Sequence, residues 1–544
     1  MTKLTGGQAL VQSIKRYGID TIFGLPGVQL DNTFDALYDE RENIRLINTR
    51  HEQSTAYMAY GYAAGAPSGS GKVGVYLVVP GPGQLNTTAA LTTAYATNTP
   101  VLAISGQVHS NEINKGYGSL HEIPNQLEMI SNLTKWAARI EKPSDAPAMV
   151  REAFKQLRTG RRRPVELEMS PDIMGMAEEV ELLDPVNSYP PVEADPDLVA
   201  RAADMLANAK NPIIFAGGGA VDAGDPIREL AEVLQAPVII TPNGRGIVSD
   251  RHPLALTMLG GRYVYGDADV VLAVGTRFDR PATDWGVDDG MQIIRVDVDD
   301  QVIDQFLTPD LALVGDANRT VGQIFDQVDR KTYTRESRAG EMAKIKERVE
   351  DQLFEFQPSN DFARALREEL PDDGILAGEI TQLSAYADIG FPVYHPRTLI
   401  GAGYQGTLGF GYATALGVQV GNPDKKVLSI NGDGGFLYTM PEIATAVRHQ
   451  IPLVAVVIND GAFGNVKYIQ QNRYGGREIA NSLTNPDFVK LAESFGAAGL
   501  RATNAEELGR AVREGFENNH PTLIDVPVDR LPPIRMITRG RIRG

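Results

Sequence analysis

Cysteine is absent from the 544-residue sequence, which excludes disulfide bonds, thiolate metal ligands and a cysteine nucleophile. The sequence also lacks an apolar run of membrane-spanning length, because its longest runs, such as 453–458, are no longer than a strand. Positive charge is scarce as well, since 52 Lys and Arg face 69 Asp and Glu, and the formal net charge of −17 argues against a nucleic-acid surface. We therefore expect a cytoplasmic protein with neither a membrane nor a nucleic acid as its partner.

The length predicts about three domains, because one hydrophobic core rarely extends over so long a chain. Apolar strand patterns alternate with helical patterns in three blocks, which predicts an α/β fold of three doubly wound parallel sheets. A proline-rich acidic segment, about 172–197, and a densely charged segment, about 330–357, separate the blocks. We assign 1–172 to a first domain, 190–330 to a Rossmann-like middle domain and 355–535 to a third. The first and third domains are predicted to share one architecture.

The third block contains a strand–turn–helix–strand unit in which two aspartates follow the two strands. The predicted elements are a strand over 427–431, a glycine turn over 432–435, a helix over about 440–449 and a strand over 453–458. Such a unit is a right-handed crossover between parallel strands, so Asp433 and Asp460 emerge at one edge of the sheet. Two carboxylates beside bare glycine amides suit a magnesium-bridged diphosphate, although a Gly-Asp-Gly segment alone is more often a plain turn.

A further acidic residue, Glu52, lies in the first turn of a helix predicted over about 49–65. The helix dipole favours a carboxylate there, so a simple helix-start acid is the plainest interpretation of this segment alone. Downstream, a strand over about 72–79 leads into the turn Pro80-Gly81-Pro82-Gly83, with a helix predicted from about Asn86.

Taken together, these segments resemble the thiamine diphosphate (ThDP) enzymes. The segment from Asp433 to Asn459-Asp460 is similar to their diphosphate signature, except that Asp460 replaces its second asparagine. Arg-His-Glu-Gln at 50–53, followed by the turn at 80–83, resembles their pyrimidine-binding domain. Further segments resemble the acetolactate synthase branch of decarboxylases and carboligases, and they are 104–108, 216–219, 244–246, 275–279 and 295–299.

The resemblance implies bound ThDP and Mg²⁺, and it assigns roles to individual residues. The side chains of Asp433 and Asp460 and the carbonyl of Ala462 would bind the metal. Glu52 would hydrogen-bond the aminopyrimidine ring, which makes the exocyclic nitrogen of that ring a base. Leu408 would support the bent cofactor from below. The other implied cofactor contacts are Pro26, Gly83, Asn86, Gln382, Ser384, Gly406 through its carbonyl, Gly432, Gly434, Gly435, Phe463 and Gly464.

The substrate pocket departs from that of acetolactate synthases. They carry Phe-Gln-Glu where this sequence has Leu120-His121-Glu122, and a second glycine where it has Val28. Gln107 is placed like the pocket glutamine of the family. We predict catalytic roles for Gln107 and His121, because histidine suits proton transfer near neutral pH, with a surface or core histidine as the open alternative. The predicted reaction is decarboxylation or C–C ligation of 2-oxo acids with aldehydes or ketones.

Three rival functions stay open. A ThDP-dependent hydrolase or lyase would act on a diketone or a 2-hydroxyacyl substrate. An NAD(P)-linked oxidoreductase would use the glycine turn 216–219, but it gives Asp433 and Asp460 no role. An inactive, regulatory cofactor-binding protein would have no need of Glu52.

The resemblance also bears on nucleotide binding in the middle domain and on the assembly of subunits. The synthases bind FAD in the middle domain, whereas relatives bind ADP or no nucleotide, and all three outcomes are open for this chain. In the family, the cofactor lies between the first domain of one subunit and the third domain of another. A homodimer or homotetramer is therefore implied.

Overall fold

The computed structural model describes four parts of the chain, residues 1–186, 188–329, 335–534 and 540–542. Three modules follow one another, each built on a six-stranded parallel sheet with flanking helices, which confirms the predicted α/β fold. The predicted limits at 330 and 535, and the start of the charged segment over 330–334, lie outside the described residues, so the domain limits stay a proposal. Within the described part, no helix is long and apolar enough to cross a membrane.

The first module has a six-stranded parallel sheet and a small antiparallel sheet of two strands, its first and last. Its strands are β1 (Thr2–Thr5), β2 (Thr21–Gly24), β3 (Arg45–Asn48), β4 (Gly74–Val78), β5 (Val101–Gly106), β6 (Trp136–Ile140), β7 (Val165–Met169) and β8 (Ala177–Val180). Its helices are α1 (Gly6–Arg16), α2 (Asp31–Asp39), α3 (Glu52–Ala64), α4 (Pro82–Asn86), α5 (Thr88–Thr97), α6 (Gln126–Ser131), α7 (Ala146–Arg158) and α8 (Pro171–Gly175). The sheet order is β3-β2-β4-β5-β7-β6, and β4, β5 and β7 are buried throughout, as expected of parallel strands covered on both faces.

The middle module has the strand order of a dinucleotide-binding fold. Its strands are β9 (Pro212–Ala216), β10 (Val238–Ile240), β11 (Ala255–Thr257), β12 (Val270–Val274), β13 (Gln292–Asp297) and β14 (Leu311–Val314). Its helices are α9 (Pro196–Asn208), α10 (Gly224–Leu234), α11 (Met258–Val264) and α12 (Ala317–Asp329). The order β11-β10-β9-β12-β13-β14 reverses between β9 and β12, which places a crevice beyond these two strand ends.

The third module repeats the topology of the first. Its strands are β15 (Ile375–Gly378), β16 (Leu399–Gly401), β17 (Val427–Gly432), β18 (Val454–Asn459), β19 (Ala498–Arg501) and β20 (Thr522–Pro527). Its helices, with the linker helix first, are α13 (Ala339–Phe354), α14 (Ser359–Glu369), α15 (Gln382–Gly390), α16 (Phe410–Gly421), α17 (Asp433–Thr439), α18 (Ile443–His449), α19 (Gly464–Arg473), α20 (Phe488–Phe495) and α21 (Ala505–Asn518). The order β16-β15-β17-β18-β20-β19 matches that of the first sheet strand for strand, as the sequence predicts.

The first and third modules share one core across the helix pair α3 and α16. A Cβ added at Gly61 would lie 2.0 Å from the carbonyl oxygen of Thr414, and one added at Gly417 would lie 1.9 Å from that of Met58. Only glycine lets the two backbones approach so closely. The rings of Tyr57 and Phe410 meet edge to face, 5.5 Å between centroids.

Two predicted element boundaries are wrong, and one strand was not predicted. The turn predicted over 432–435 ends at Gly432, because α17 begins at once with Asp433, whose carboxylate suits a helix start. Helix α4 begins at Pro82 rather than near Asn86, since proline is preorganised for the first helical position. The proline-rich segment contains β8, which pairs with the distant β1 and therefore escapes a local pattern.

Candidate functional site

Asp433 is the centre of an acidic edge on the third sheet. It follows β17 and is 2% exposed. Its carboxylate accepts hydrogen bonds from the N–H groups of Gly434 (2.8 Å) and Gly461 (2.9 Å). It also accepts one from Asn485 Nδ2 at 2.6 Å. Burial raises the pKa of Asp433, and these hydrogen bonds act in the opposite direction.

Asp460 follows the neighbouring strand β18 and faces the same edge. Burial raises its pKa, and the nearby charge of Asp433 raises it further. Its Oδ1 accepts a hydrogen bond from the N–H of Ala462 at 3.2 Å. Two neighbouring carboxylates that repel each other fit a divalent cation, which would favour both charged forms.

The remaining ligands of such a cation would have to come from elsewhere. Among the described residues, no group of three or more His, Cys, Asp or Glu side chains could hold a metal ion. A hard cation at Asp433 and Asp460 would therefore complete its oxygen ligands from backbone carbonyls and from a bound anion, as Mg²⁺ commonly does.

The glycines and the aromatic residue predicted on this edge lie there. A Cβ at Gly434 would lie 2.7 Å from the Phe463 ring, and one at Gly464 would lie 2.4 Å from Asp460 Oδ2. Gly464 begins α19, while Gly432 and Gly435 flank the start of α17. The absence of side chains at Gly434 and Gly464 thus lets Phe463 and Asp460 lie close to the backbone around Asp433.

The wedge loop, residues 404–409, leads from β16 into α16. Gly406 and Gly409 have φ of 60° and 82°, values that favour glycine. Leu408 is half-buried, and its carbonyl oxygen accepts a hydrogen bond from Gln53 Nε2 at 3.2 Å. This loop therefore touches the residue next to Glu52.

Glu52 is the first residue of α3, as predicted. Its Oε2 accepts a hydrogen bond from Asn86 Nδ2 at 3.0 Å. A Cβ at Gly83 would lie 3.7 Å from its Oε1, so that the turn 80–83 also borders the carboxylate. His51 caps the helix, because its Nδ1 accepts from the N–H of Gln53 at 3.1 Å.

Contacts within the chain link the start of α3 to the elements that follow Asp433. Glu442 is fully buried and accepts hydrogen bonds from the N–H groups of Arg50 (3.0 Å) and His51 (3.1 Å). Helix α17 extends roughly 9 Å from Asp433 to Thr439 at 1.5 Å per residue. At its far end, a Cβ at Gly409 would lie 3.3 Å from Thr439. The region between these acids, which we call the crevice, would suit an elongated ligand with an anionic tail.

The predicted substrate residues lie on the first module. His121 Nδ1 is 3.0 Å from Gln29 Oε1. Because an amide oxygen only accepts, Nδ1 donates in this contact, and in a neutral imidazole Nε2 is then the acceptor. Gln107 is buried, with Nε2 3.3 Å from Glu168 and Oε1 bonded to the next backbone N–H. Pro26 is exposed at the end of β2.

Two predicted cofactor contacts are engaged within the third module. Gln382 Oε1 accepts a hydrogen bond from the N–H of Ile534 at 3.1 Å. Ser384 is buried, and its Oγ lies 3.0 Å from Thr381 Oγ1. Their roles toward a cofactor, like those of Gln107 and His121, stay predictions.

Sequence reasoning missed four residues that build the site, namely Gln53, Glu379, Glu442 and Asn485. Glu379 directly follows β15, so the rule that ligands bind at carboxyl ends of parallel strands could have found it. Asn485 lies in a long loop, 52 residues beyond its partner Asp433, and no local pattern points to it.

The crevice of the middle module is filled by contacts of the chain. The N–H groups of Gly217 and Gly219 donate to carbonyl oxygens of Val274 (3.0 Å) and Gly275 (2.9 Å). Arg161 pairs with Asp297 and Asp299, at 3.3 and 3.2 Å. These two amides and three charged side chains are thus partnered within the chain, and their fit to FAD is incomplete.

Comparison with known proteins identifies all three modules. The N-terminal, central and C-terminal domain models of thiamine pyrophosphate (ThDP) enzymes match residues 4–129, 199–324 and 379–526. A probable acetolactate synthase large subunit of Methanocaldococcus jannaschii is 32% identical over 99% of this chain and 94% of its own. A probable 2-ketoarginine decarboxylase of Pseudomonas aeruginosa is 32% identical over 96% and 94%. The isozyme 3 acetolactate synthase large subunit of Escherichia coli is 30% identical over 97% and 96%. The chain therefore belongs to the ThDP-dependent enzymes, on the branch that resembles acetolactate synthase.

Proposed function

We propose that this protein is a ThDP- and Mg²⁺-dependent enzyme that decarboxylates 2-oxo acids, ligates them to aldehydes or ketones, or does both. The observation that carries the proposal is the pair of carboxylates at neighbouring strand ends, the buried Asp433 and the half-buried Asp460, together with the carboxylate of Glu52 at the start of α3. An oxidoreductase using the middle glycine turn leaves that pair without a role.

The residues of the crevice fit both ends of the cofactor. Asp433, Asp460 and the carbonyl of Ala462 would hold Mg²⁺ with the diphosphate, and the glycine amides of α17 would receive phosphate oxygens. Glu52, steadied by Asn86, would hold a proton at the aminopyrimidine. Bound ThDP supplies an electron sink for bond cleavage or formation next to a carbonyl.

His121 is our candidate for moving a proton at the substrate. Its backbone packs on the turn beside Glu52, since a Cβ at Gly81 would lie 2.2 Å from the His121 carbonyl oxygen. With Nδ1 bonded to Gln29, Nε2 is the atom that would take or give the proton. Gln107 would contact the substrate through its side-chain amide, which Glu168 orients by a hydrogen bond.

Product analysis tests the reaction. Purified protein with ThDP and Mg²⁺ would be given pyruvate, and a 2-oxo acid with a guanidinium group as in the decarboxylase relative, each with and without an acceptor aldehyde. We expect CO₂ release and, with acceptor, a 2-hydroxy ketone. Cleavage of a diketone without CO₂ release from any 2-oxo acid would favour the hydrolase instead. Mass spectrometry of released small molecules decides among FAD, ADP and no nucleotide.

The proposal includes a homodimer or homotetramer that acts on small molecules. Large apolar side chains near the crevice are exposed in the single chain, among them Leu85 (42%), Tyr438 (54%) and Val28 (62%). A second copy that covers this surface would explain their exposure. Light scattering coupled to size-exclusion chromatography measures the assembly, and a monomer at working concentration would contradict this part.

A further inference from the structure

Glu379 is a buried carboxyl group with an incomplete set of partners. It follows β15 and is 2% exposed. Its Oε1 accepts a hydrogen bond from the N–H of Gly409 in the wedge loop at 2.6 Å. Its Oε2 is enclosed and has no hydrogen-bond partner among the described residues. Leaving a buried polar atom unpaired is unfavourable, so such an arrangement calls for a reason.

The carboxyl group also packs against the junction of β17 and α17, residues 432–435, which we call the diphosphate loop. A Cβ added at Gly435 would lie 2.2 Å from Glu379 Oε1 and 2.3 Å from Oε2, so only glycine leaves room for this acid. Burial raises the pKa of the Glu379 carboxyl to about 7, and the N–H groups of Gly409, Gly432 and Phe410 act in the opposite direction. Glu379 therefore lies between the wedge loop and the diphosphate loop and touches both.

The start of α16 is fitted closely around the same group. A Cβ at Gly411 would lie 2.8 Å from Glu379 Cβ and 2.4 Å from Asn431 Oδ1. Asn431 is fully buried, and its Oδ1 likewise has no partner among the described residues. The start of α16, which follows the wedge loop, therefore packs tightly against Glu379 and against Asn431 of β17. The last residue of β17 precedes Asp433.

We propose that Glu379 is a positioning residue, which fixes the wedge loop at a set distance from the diphosphate loop so that both ends of ThDP are held at the required separation. This inference rests on the proposed function, because the two loops would contact opposite ends of that cofactor. Glu379 acts through the backbone of both loops and needs no contact with the reacting atoms.

The first test uses the protein without ligand. Glu379→Ala removes the link, whereas Glu379→Gln keeps an oxygen that can accept from the N–H of Gly409 at nearly the same volume. Amide hydrogen exchange, read by mass spectrometry, should show faster deuterium uptake in peptides covering 404–411 and 432–439 for Glu379→Ala. Glu379→Gln should stay close to wild type. Unchanged uptake in both peptides of Glu379→Ala would overturn the proposal.

The second test adds ThDP and Mg²⁺ and follows exchange of the thiazolium ring proton, together with ThDP affinity by calorimetry. In Glu379→Ala the ring-proton rate should fall on the order of 10²-fold, the effect of misplacing reacting groups by about 1 Å. ThDP affinity should change far less, because the metal pair is intact, and Glu379→Gln should recover most of the rate.

The matched control is Leu376→Ala, which opens a cavity on the same strand and pairs through its backbone with Leu428 in β17. At an equal loss of thermal midpoint, this control should keep its ring-proton rate. An equal loss of rate in both variants would reduce Glu379 to a structural role and overturn the proposal. Failure of the wild type to bind ThDP would instead refute the proposed function, while hydrogen exchange would still test the link between the loops.

Discussion

The first and third modules have the same strand order but differ in the side chains at their strand ends, which are neutral in the first module and acidic in the third. Both sheets have equivalent strand orders, and the helices α3 and α16 follow equivalent strands and pack on each other. At the three matching carboxyl ends, the first module has Pro26, the turn 80–83 and Gln107. The third module has Glu379, Asp433 and Asp460 there.

This difference shows where the function of the molecule is encoded. The neutral strand ends of the first module leave Glu52, displaced onto a helix start, as the acid of that half-site. In the third module, Asp433 and Asp460 suit a cation, and Glu379 lies between the wedge loop and the diphosphate loop. Fold alone would predict two similar sites, whereas under the proposed function the residues at the strand ends would hold one cofactor between two different surfaces.

Removing Glu52, the acid of the first half-site, should have the largest effect. In Glu52→Gln, the exchange of the ThDP ring proton should fall by about 10²–10⁴-fold, because a group that holds the proton is lost. ThDP binding should persist, since the metal pair lies on the other module. Nuclear magnetic resonance of quenched samples measures the rate, and wild-type exchange in this variant would remove Glu52 from the mechanism.

Breaking the acidic edge comes second. Asp433→Asn should weaken binding of Mg²⁺ and ThDP by more than about 10²-fold, since loss of residues that merely orient a metal ligand costs 10–100-fold. Calorimetric titration of ThDP at fixed Mg²⁺ gives the affinity. The exposed Glu128→Gln is the control that should bind normally, and tight binding by Asp433→Asn would show that the ligands are misassigned.

The packing of α3 on α16 between the first and third modules can be disrupted without a change in either half-site. Gly417→Ala should lower the free energy of unfolding by about 3 kcal/mol or more, because the new Cβ overpacks against the Met58 carbonyl. Gly340→Ala, an exposed helical glycine with no atom within 4 Å of the new Cβ, should be neutral or slightly stabilising. Thermal denaturation compares them, and equal midpoints would argue against close helix packing.

The frame of the first module contains a buried acid outside the cofactor site. Burial raises the pKa of Glu166 to about 8, from an ordinary value of 4.5, although Ser105 Oγ donates to it at 2.6 Å. The folded state therefore holds a proton that the unfolded chain releases above about pH 4.5. This contribution to stability is complete below that pH and is lost as pH rises through about 8.

Glu166→Gln should remove that pH dependence. Between pH 5 and 8 the variant should gain on the order of 3 kcal/mol relative to wild type, at about 1.4 kcal/mol per pH unit of pKa difference. Thermal midpoints measured across this range provide the comparison, with Glu128→Gln as the exposed control. A constant difference between variant and wild type would contradict the assignment of a proton to Glu166.

The smallest effect is expected at the residue that departs from the family signature. Asp460→Asn restores the asparagine of that signature and relieves the repulsion from Asp433. ThDP and Mg²⁺ should still bind, with an affinity change of less than about tenfold, or 1.4 kcal/mol. Complete loss of metal binding would show that Asp460 supplies the charge that this chain requires.

The sequence predicted what local patterns and signatures encode. The repeated α/β frame, the helix start at Glu52 and the paired strand ends at Asp433 and Asp460 follow from periodicity and crossover geometry. The predicted helix start after β17 was several residues too late. The glycines at 434 and 435 were interpreted as part of a turn, whereas they lie in α17 and allow other groups to approach its backbone closely. Glu379 and Asn485 were missed, because their partners are 30 or more residues away and only packing brings them together.

The central claim is that one elongated cofactor joins the acidic edge of the third module to the glutamate of the first. A crystal structure of the protein grown with ThDP and Mg²⁺ tests it most directly. We predict the cation between Asp433 and Asp460 with the diphosphate beside it, and the aminopyrimidine within hydrogen-bond distance of Glu52. Ordered side chains filling that crevice, or a cofactor bound away from Glu52, would contradict the account.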